Sequence, residues 1–449
     1  MQKLNIIILA AGKGTRMKSK TLKVLHPLAG STVIEKVLSS AQALKPSRII
    51  MVHGHQGEQL QHHLQDEKIT WVQQANPQGT GHAVQLALPA LETDAKVLVL
   101  VGDAPLIESE DLAQLLQFQQ AVLTAKMNNP FGYGRIIKTK DNVVEQIVEE
   151  KDASTAQRQI NEINSGIIMA CAQDLQNWLA QINKNNAQGE LYLTDILAIA
   201  HQQGKSFHPV IVQDSRSIIG INDRVQLAEC EAILQTRLRN KLMRQGVYLT
   251  NPQSVQIRGN LVCGIDVSID AGVLFSGNNE IADDVSIGAY CIIHNCKLGK
   301  GTRIASHSVL QDVVTDGDCD IGPFARLRPG TKLAKKAKVG NFVETKKTHI
   351  GQNSKASHLS YLGDCEIGDN VNIGAGTITC NYDGVNKFKT IIKDGAFIGS
   401  DTQLVAPVVV GKGATIGAGT TLTKDAPADE LTISRVRQKI IANWQKPQA

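Results

Sequence analysis

The sequence predicts an α/β domain with a mostly parallel sheet, followed by a solenoid of six-residue coils. Three observations predict it. Short apolar strands alternate with helical stretches through the first half of the chain, the pattern of a parallel sheet with helices on both faces. From residue 392 to 422 an aliphatic residue returns at every sixth position, as Ile392, Ile398, Leu404, Val410, Ile416 and Leu422. Neither strand alternation nor helical periodicity gives that period. Short strands joined by tight corners do, because one side chain per segment points to the axis. Finally, 449 residues exceed what one ordinary core accommodates.

Composition narrows the class. Hydrophobic content of 42% and charged content of 20% describe a soluble globular protein. Aromatic content of only 4% suits a solenoid filled by small aliphatics. The net charge of +5 calls for no nucleic acid and suits small anionic substrates. The eight Cys include no Cys-x-x-Cys pair. They read as the reduced thiols of a cytoplasmic protein, with no zinc site. The apolar stretch 6–11 is too short for a signal peptide, and no run is long enough to span a membrane.

In the first half, strands are expected at 6–9, 48–52, 70–72 and 96–101, with helices near 33–44, 57–64 and 81–91. Ligands of such folds bind outside the carboxyl ends of the strands, and the informative motifs follow strands. The first strand runs into LAAGKGTRM at 9–17. Its glycines free backbone amides to cradle phosphate, and Lys13, Arg16 and Lys23 neutralise charge. It is neither a Walker A motif nor a dinucleotide fingerprint, since Met17 stands where the third Gly belongs. QANPQGTGH at 74–82 opens a helix with Gly79, Thr80 and Gly81. The Gln74 amide can read a base edge, and His82 reads as structural. Val101, Gly102 and Asp103 end a long apolar strand with a carboxylate. That carboxylate is either a helix cap or, beside a phosphate loop, a Mg²⁺ ligand. Gly134, within FGYGR at 131–135, allows another close backbone approach. Glu149, Glu150 and Lys151, with Asn164, Ser165 and Gly166, carry chemistry that grips sugar hydroxyls.

Asn222 and Asp223 can cap a helix whose apolar side runs through Leu227, Cys230, Leu234, Leu238 and Leu242, with Gly246 as its stop. Arg237, Arg239, Lys241 and Arg244 form the opposite side, which is read as solvated. The expected division is therefore 1–224, a helical connection over 225–245, and a coil domain over 246–449. Further sixes run through Ile281, Ile287 and Ile293; Leu298 and Ile304; Ile321, Leu327, Leu333 and Val339; Ile350, Ala356 and Leu362; and Ile367 and Ile373. Each coil buries little alone, so stability comes from stacking. The sixes fail at 379–390. That stretch carries polar groups unfit for the axis and is expected as an extruded loop, functional or merely tolerated.

Together these motifs resemble those of the sugar-1-phosphate nucleotidylyltransferases. With the coil behind them, nearly the whole chain resembles a bifunctional bacterial family. Its members combine N-acetylglucosamine-1-phosphate uridylyltransferase with glucosamine-1-phosphate acetyltransferase. The resemblance implies an α/β nucleotidyltransferase domain (Rossmann-like, mostly parallel sheet) and a left-handed parallel β-helix of hexapeptide repeats. It implies that Leu9, Ala10, Ala11, Gly12 and Lys23 hold the uridine nucleotide. Gln74, Gly79 and Thr80 lie on the uracil side, with Val101 and Gly102 beside the nucleotide. Asp103 and Asn222 share Mg²⁺, and Gly134, Glu149 and Asn164 line the sugar pocket. In the coil, Arg328, Lys346, Tyr361 and Asn372 bind glucosamine-1-phosphate. Ala375, Asn381, Tyr382, Ser400, Ala418 and Arg435 contact acetyl-CoA. His358 is the general base, because an imidazole titrates near neutrality and can take the proton of the attacking amine. The amine attacks the thioester directly, so no Cys nucleophile is needed.

The implied partners are UTP, acetyl-CoA, the two sugar phosphates and two further copies of the chain in a homotrimer. The implied product, UDP-N-acetylglucosamine, feeds peptidoglycan and lipopolysaccharide synthesis. Two positions depart from the family pattern. Leu22 precedes Lys23 where Pro is usual, and Val101 stands where Tyr is common. The alternatives are a nucleotidylyltransferase with a purely regulatory coil, and a trimeric scaffold with a vestigial nucleotide site.

Overall fold

The computed structural model describes residues 3–445 and 447, except 13, 55, 66 and 67. They form two compact units, Met1–Leu234 and Gln235–Ala449. The division falls inside the helix Arg224–Arg244.

The first unit is built on nine strands: β1 Leu4–Ala10, β2 Arg48–His53, β3 Ile69–Gln73, β4 Lys96–Val101, β5 Ala121–Lys126, β6 Arg135–Lys138, β7 Val144–Val148, β8 Glu162–Cys171 and β9 His208–Ile211. Their order is β9-β5-β8-β4-β1-β2-β3, with β6 on β8 and β7 on β6. Strands β4, β1, β2 and β3 run parallel, while β8 runs antiparallel to both β4 and β5. Ile6, Ile8, Leu98 and Leu100 belong to one core, and Ile7, Val97 and Val99 to another. Burial on both faces is why these strands read as continuous apolar runs. From β1 the chain moves to β2 and β3 on one side, then returns to β4 on the other. The carboxyl end of β1 is thus a switch point, where open α/β sheets form a crevice.

The expected helices form at Val33–Ala43, Gly57–Leu64 and Thr80–Ala87. The first is fixed by a capping box between Thr32 and Glu35. The third ends sooner than expected, giving way to a 3₁₀ turn at Leu88–Ala90 that contains Pro89.

The helix Arg224–Arg244 starts at Asp223, whose carboxylate accepts from the backbone N–H of Val225 and Gln226, both at 2.9 Å. Gly246, with φ +97°, follows its end. Leu227, Cys230, Ile233 and Leu234 pack with Met17, Leu28, Leu106 and Ile221 in the first unit. Leu238 and Leu242 pack in the core of the second. The solvated reading of Arg239 is corrected. Arg239 is buried and donates to the carbonyl oxygens of Val255 at 3.1 Å and Gln253 at 3.3 Å. An Arg side chain can lie along apolar surface if its guanidinium finds such acceptors.

The second unit is a parallel β-helix, with every strand pair parallel and two sheets of eleven and fifteen strands. Ser286 pairs with Arg303, and Arg303 with Asp320, so one coil takes 17 residues here, close to three sixes. Every aliphatic of the sixes named above is buried, from Ile281 to Leu422. Cys291, Cys296, Cys319 and Cys365 share that interior. Small residues after the aliphatics are explained by crowding. A Cβ on Gly374 would stand 2.6 Å from the backbone of Gly399, and one on Gly399 would stand 2.4 Å from Ala418 N.

The break in the sixes also needs correction. Asn372 pairs with Phe397, a step of 25 residues, so about eight are extruded. Yet Thr379, Asn381 and Thr390 stay buried. Thr379 Oγ1 does so by accepting from Gly363 N at 2.7 Å and donating to Gly363 O at 3.0 Å. Polar groups such as Thr379 can therefore enter the interior when paired, whereas the buried Thr390 Oγ1 has no hydrogen-bond partner among the described residues. Among the described residues no helix is long and apolar enough to cross a membrane.

Candidate active sites in the sheet unit and the coil

At the switch point of the sheet unit lies a cavity of about 270 Å³. It gathers Leu9, Ala10, Ala11, Gly12, Lys23, Gln74, Gly79, Thr80, Val101 and Asp103. Gly102 N donates to Leu9 O at 2.9 Å, tying the ends of β1 and β4 together. Gly79 has φ +113°, and a Cβ there would meet Leu191 O at 2.4 Å, so only glycine fits. The Gln74 amide nitrogen donates to Gly79 O at 3.1 Å and faces His82 Nδ1 at 3.1 Å. That leaves the Gln74 oxygen as an acceptor and gives His82 its structural place.

Asp103 caps no helix, since the next one is Ser109–Leu115. Instead Lys23 Nζ donates to Asp103 Oδ2 at 2.5 Å and lies 3.5 Å from Asn222 Oδ1. An ammonium thus sits against one carboxylate and one amide oxygen. Leu22 has φ −53° and ψ 139°. Its φ lies in the range that a proline would impose, so Leu22 adopts here a backbone that proline could also take. Val101 packs where a Cβ on Gly166 would stand, 3.0 Å away.

A second group lies around β6 and β8. Asn164 N donates to Gly134 O at 2.9 Å, and the Glu149 carboxylate lies 3.3 Å from where a Gly134 Cβ would be. Burial pushes the Glu149 carboxyl above its ordinary value, with Thr194 opposing by donating to Oε1 at 3.2 Å. Asp195 is pushed up to about 6, mainly by burial and then by Asp152. Arg16 is exposed and does not line the cavity. Lys13 lies outside the described residues. Glu190 lines the cavity without having been expected there. Nothing in its local pattern marks it; only the packing of Leu191 on Gly79 brings it in.

In the coil, Leu327 pairs with Thr345, and Lys346 with Gly363, so Arg328, Lys346 and Gly363 succeed one another on adjacent coils. Arg328 donates to Glu344 at 2.8 Å. The Lys346 ammonium is held below its ordinary value by Lys387 beside it, with Arg328 adding and Asp364 opposing. Two ammonium groups so close form a natural anion site. Asp364 accepts from Asn381 Nδ2 at 2.6 Å, and the Tyr361 hydroxyl lies against Gly363. Arg328, Lys346, Tyr361 and Asn381 therefore form one polar group. Tyr382 is exposed and donates to Gly384 O.

His358 lies on the other sheet, in the strand Lys355–His358, with Nδ1 2.6 Å from Asn341 Oδ1. Asn372 starts the next strand of that sheet. Ala375, Ser400 and Ala418 follow that strand and its two successors at matching positions. Asp401 N donates to Ala375 O at 2.7 Å and Gly419 N to Ser400 O at 2.8 Å. The Arg435 side chain lies over Gly417 and Gly419, 3.6 Å and 3.7 Å from where a Cβ would stand. A ladder of small residues thus ends under a guanidinium. Lys387, Asp364, Glu344 and Asn341 were not anticipated. For Asn341 a signal existed: it precedes His358 by one coil length.

Residues 6–161 match the MobA-like NTP transferase domain, and 389–424 match the bacterial transferase hexapeptide, six repeats. Over 451 aligned residues the chain is 49% identical to the bifunctional protein GlmU of Chromobacterium violaceum, covering 100% of this chain and 99% of that one. The chain belongs to the GlmU family. As a GlmU-family protein it is a bifunctional transferase, with a nucleotidyltransferase half and a hexapeptide acyltransferase half. A structure assigned to a glucose-1-phosphate thymidylyltransferase from Bacillus anthracis, in complex with a sucrose, is 18% identical. It covers 51% of this chain and 94% of its own, with a TM-score of 0.42.

Proposed function

We propose that the coil acetylates glucosamine-1-phosphate and that the sheet unit then joins N-acetylglucosamine-1-phosphate to UMP. In the first reaction the sugar amine attacks the thioester carbonyl of acetyl-CoA. A C–N bond forms, the C–S bond breaks, His358 Nε2 takes the amine proton, and CoA leaves. Arg328, Lys346 and Lys387 hold the sugar phosphate, with Tyr361, Asn372 and Asn381 around the sugar and acyl groups. The small-residue ladder of Ala375, Ser400 and Ala418 admits the pantetheine arm, and Arg435 meets a CoA phosphate.

In the second reaction a phosphate oxygen of the sugar attacks the α-phosphorus of UTP, and pyrophosphate leaves. The single observation that carries this reading is the cavity at the switch point, which unites ten residues expected from separate motifs. Gln74 offers its oxygen to the uracil imide, while Ala10, Ala11 and Gly12 present backbone to the phosphates. Glu149 and Asn164 hold the sugar, and Arg16 and Lys23 balance charge.

Asp103 and Asn222 suit Mg²⁺. They would supply two hard oxygens, both already turned to one cation, the Lys23 ammonium, at 2.5 Å and 3.5 Å. When bound, Mg²⁺ neutralises charge on the triphosphate. The active assembly is a cytoplasmic homotrimer. Its support is an exposed ridge of stacked rings along the coil (Tyr290, His307, Phe324 and Phe342), with centroids 5.0–5.5 Å apart, the kind of apolar surface that associates.

The test uses the full-length chain. Asp103→Ala should abolish pyrophosphate release from UTP and N-acetylglucosamine-1-phosphate, while thiol release from acetyl-CoA persists. Undiminished pyrophosphate release would remove Asp103 from the site.

A further inference from the structure

We propose that Asn341 is a positioning residue for acetyl transfer. Its carboxamide oxygen holds His358 in the tautomer that leaves Nε2 free to take the amine proton. The inference rests on His358 being the base of that reaction.

Asn341 ends the strand Lys338–Asn341, and its register partner on the next coil is His358. Gly340 lets the two coils close, since a Cβ there would stand 2.0 Å from Ser357 O. The backbone around His358 is held twice. Leu359 N donates to Asn341 O at 3.1 Å, and Ser360 Oγ donates to His358 O at 2.9 Å. The ring is held once, through Nδ1 and Asn341 Oδ1 at 2.6 Å. A carboxamide oxygen only accepts, so this bond requires the proton on Nδ1 and places the lone pair on Nε2. Among the described residues nothing bonds Nε2, and the side chain is exposed.

A neutral acceptor orients the imidazole without adding the negative charge that favours imidazolium. On the flanking strands the titratable groups are Lys338 and Lys355 in the same sheet, and Glu344, Lys346, Lys347, His349, Tyr361, Asp364, Cys365 and Glu366 in the next. Glu344 is already engaged by Arg328. Asp364 accepts from Asn381 and Glu366 from Lys389, and among the described residues no carboxylate is hydrogen-bonded to the ring.

The experiment measures acetyl transfer by the full-length protein as CoA thiol release across pH, with pyrophosphate release and a melting curve as folding controls. Asn341→Ala should lower kcat at least about tenfold with little change in KM for glucosamine-1-phosphate. Asn341→Asp keeps the acceptor and removes the amide donor. It should restore most of kcat and move the acidic limb of the profile up by about one pH unit. Being nearly isosteric, it carries the test even if the Ala variant does not fold. Wild-type kcat and profile in Asn341→Ala overturn the inference. So does an Asn341→Asp variant that folds yet is as inactive as a deletion of the side chain. His358→Ala separates the two levels. If it retains acetyl transfer, the base assignment fails and Asn341 has nothing to position. If it is inactive while Asn341→Ala is not, only the positioning role fails.

Discussion

In the sheet unit Lys23 meets Asp103 across 80 positions and Asn222 across 199. In the coil Asn341 meets His358, and Asp364 meets Asn381, each across 17. The first site is assembled by topology, from loops at the ends of strands that neighbour one another only after crossovers. The second is assembled by repetition, since residues one coil apart are stacked whatever lies between them. Damage should therefore spread differently. A changed loop residue in the sheet unit alters chemistry more than stability. A changed corner in the coil alters the fit of every coil that rests on it.

The largest effect expected from this contrast is at His358. His358→Ala should lower acetyl transfer by about 10²–10⁴-fold, read as thiol release, with pyrophosphate release unchanged. Loss of both activities would break the separation of the two sites. Next, Lys23→Ala should lower kcat/KM for UMP transfer by about 10²–10³-fold and leave thiol release alone.

A matched pair of glycines then sharpens the difference in tolerance. Nothing stands within 4 Å of a Cβ on Gly12, whereas one on Gly399 meets Ala418 N at 2.4 Å. Gly399→Ala should destabilise the coil by about 1–3 kcal/mol. Gly12→Ala should change stability by less than about 0.5 kcal/mol while raising KM for UTP. Equal melting shifts in calorimetry would contradict the distinction.

The smallest effect is at Asp195, whose carboxyl is pushed up to about 6 from an ordinary 3.8. The fold favours its neutral form, so its contribution is lost as pH rises through about 6. Asp195→Asn should raise the melting temperature at pH 8 and not at pH 3.5. After allowance for its partial exposure the gain is about 1 kcal/mol or less. A gain at pH 3.5 alone would reverse the sign.

What the sequence made legible was whatever local period or a strand-end motif encodes. Every aliphatic that the sixes marked lies in the interior of the coil, and the Gly-rich stretches marked walls of the cavity at the switch point. What it hid were pairings made in three dimensions. Arg239 sits on a helix whose spacing put it outward, yet carbonyl oxygens of residues 253 and 255 draw it in. Thr379 looked unfit for an axis because its partner, the backbone of Gly363, could not be seen. Glu190 enters the cavity through a neighbour's contact with a glycine 112 positions earlier. Asn341 was recoverable, had the coil length been applied backwards from His358.

One consequence follows from how the coil begins. Among the described residues its first long strand, Gln256–Cys263, pairs with a strand on one side only. On the other side the Gln235 side chain takes both backbone groups of Ile257, accepting from N at 2.9 Å and donating to O at 2.7 Å. Arg239 takes Val255 O. Two side chains of a helix thus imitate the missing rung. A bare edge of this kind is a template on which another solenoid can grow, head to tail, into a filament. The helix makes the stack finite at this end, so a Gln235→Ala, Arg239→Ala chain is where fibrous self-association should begin.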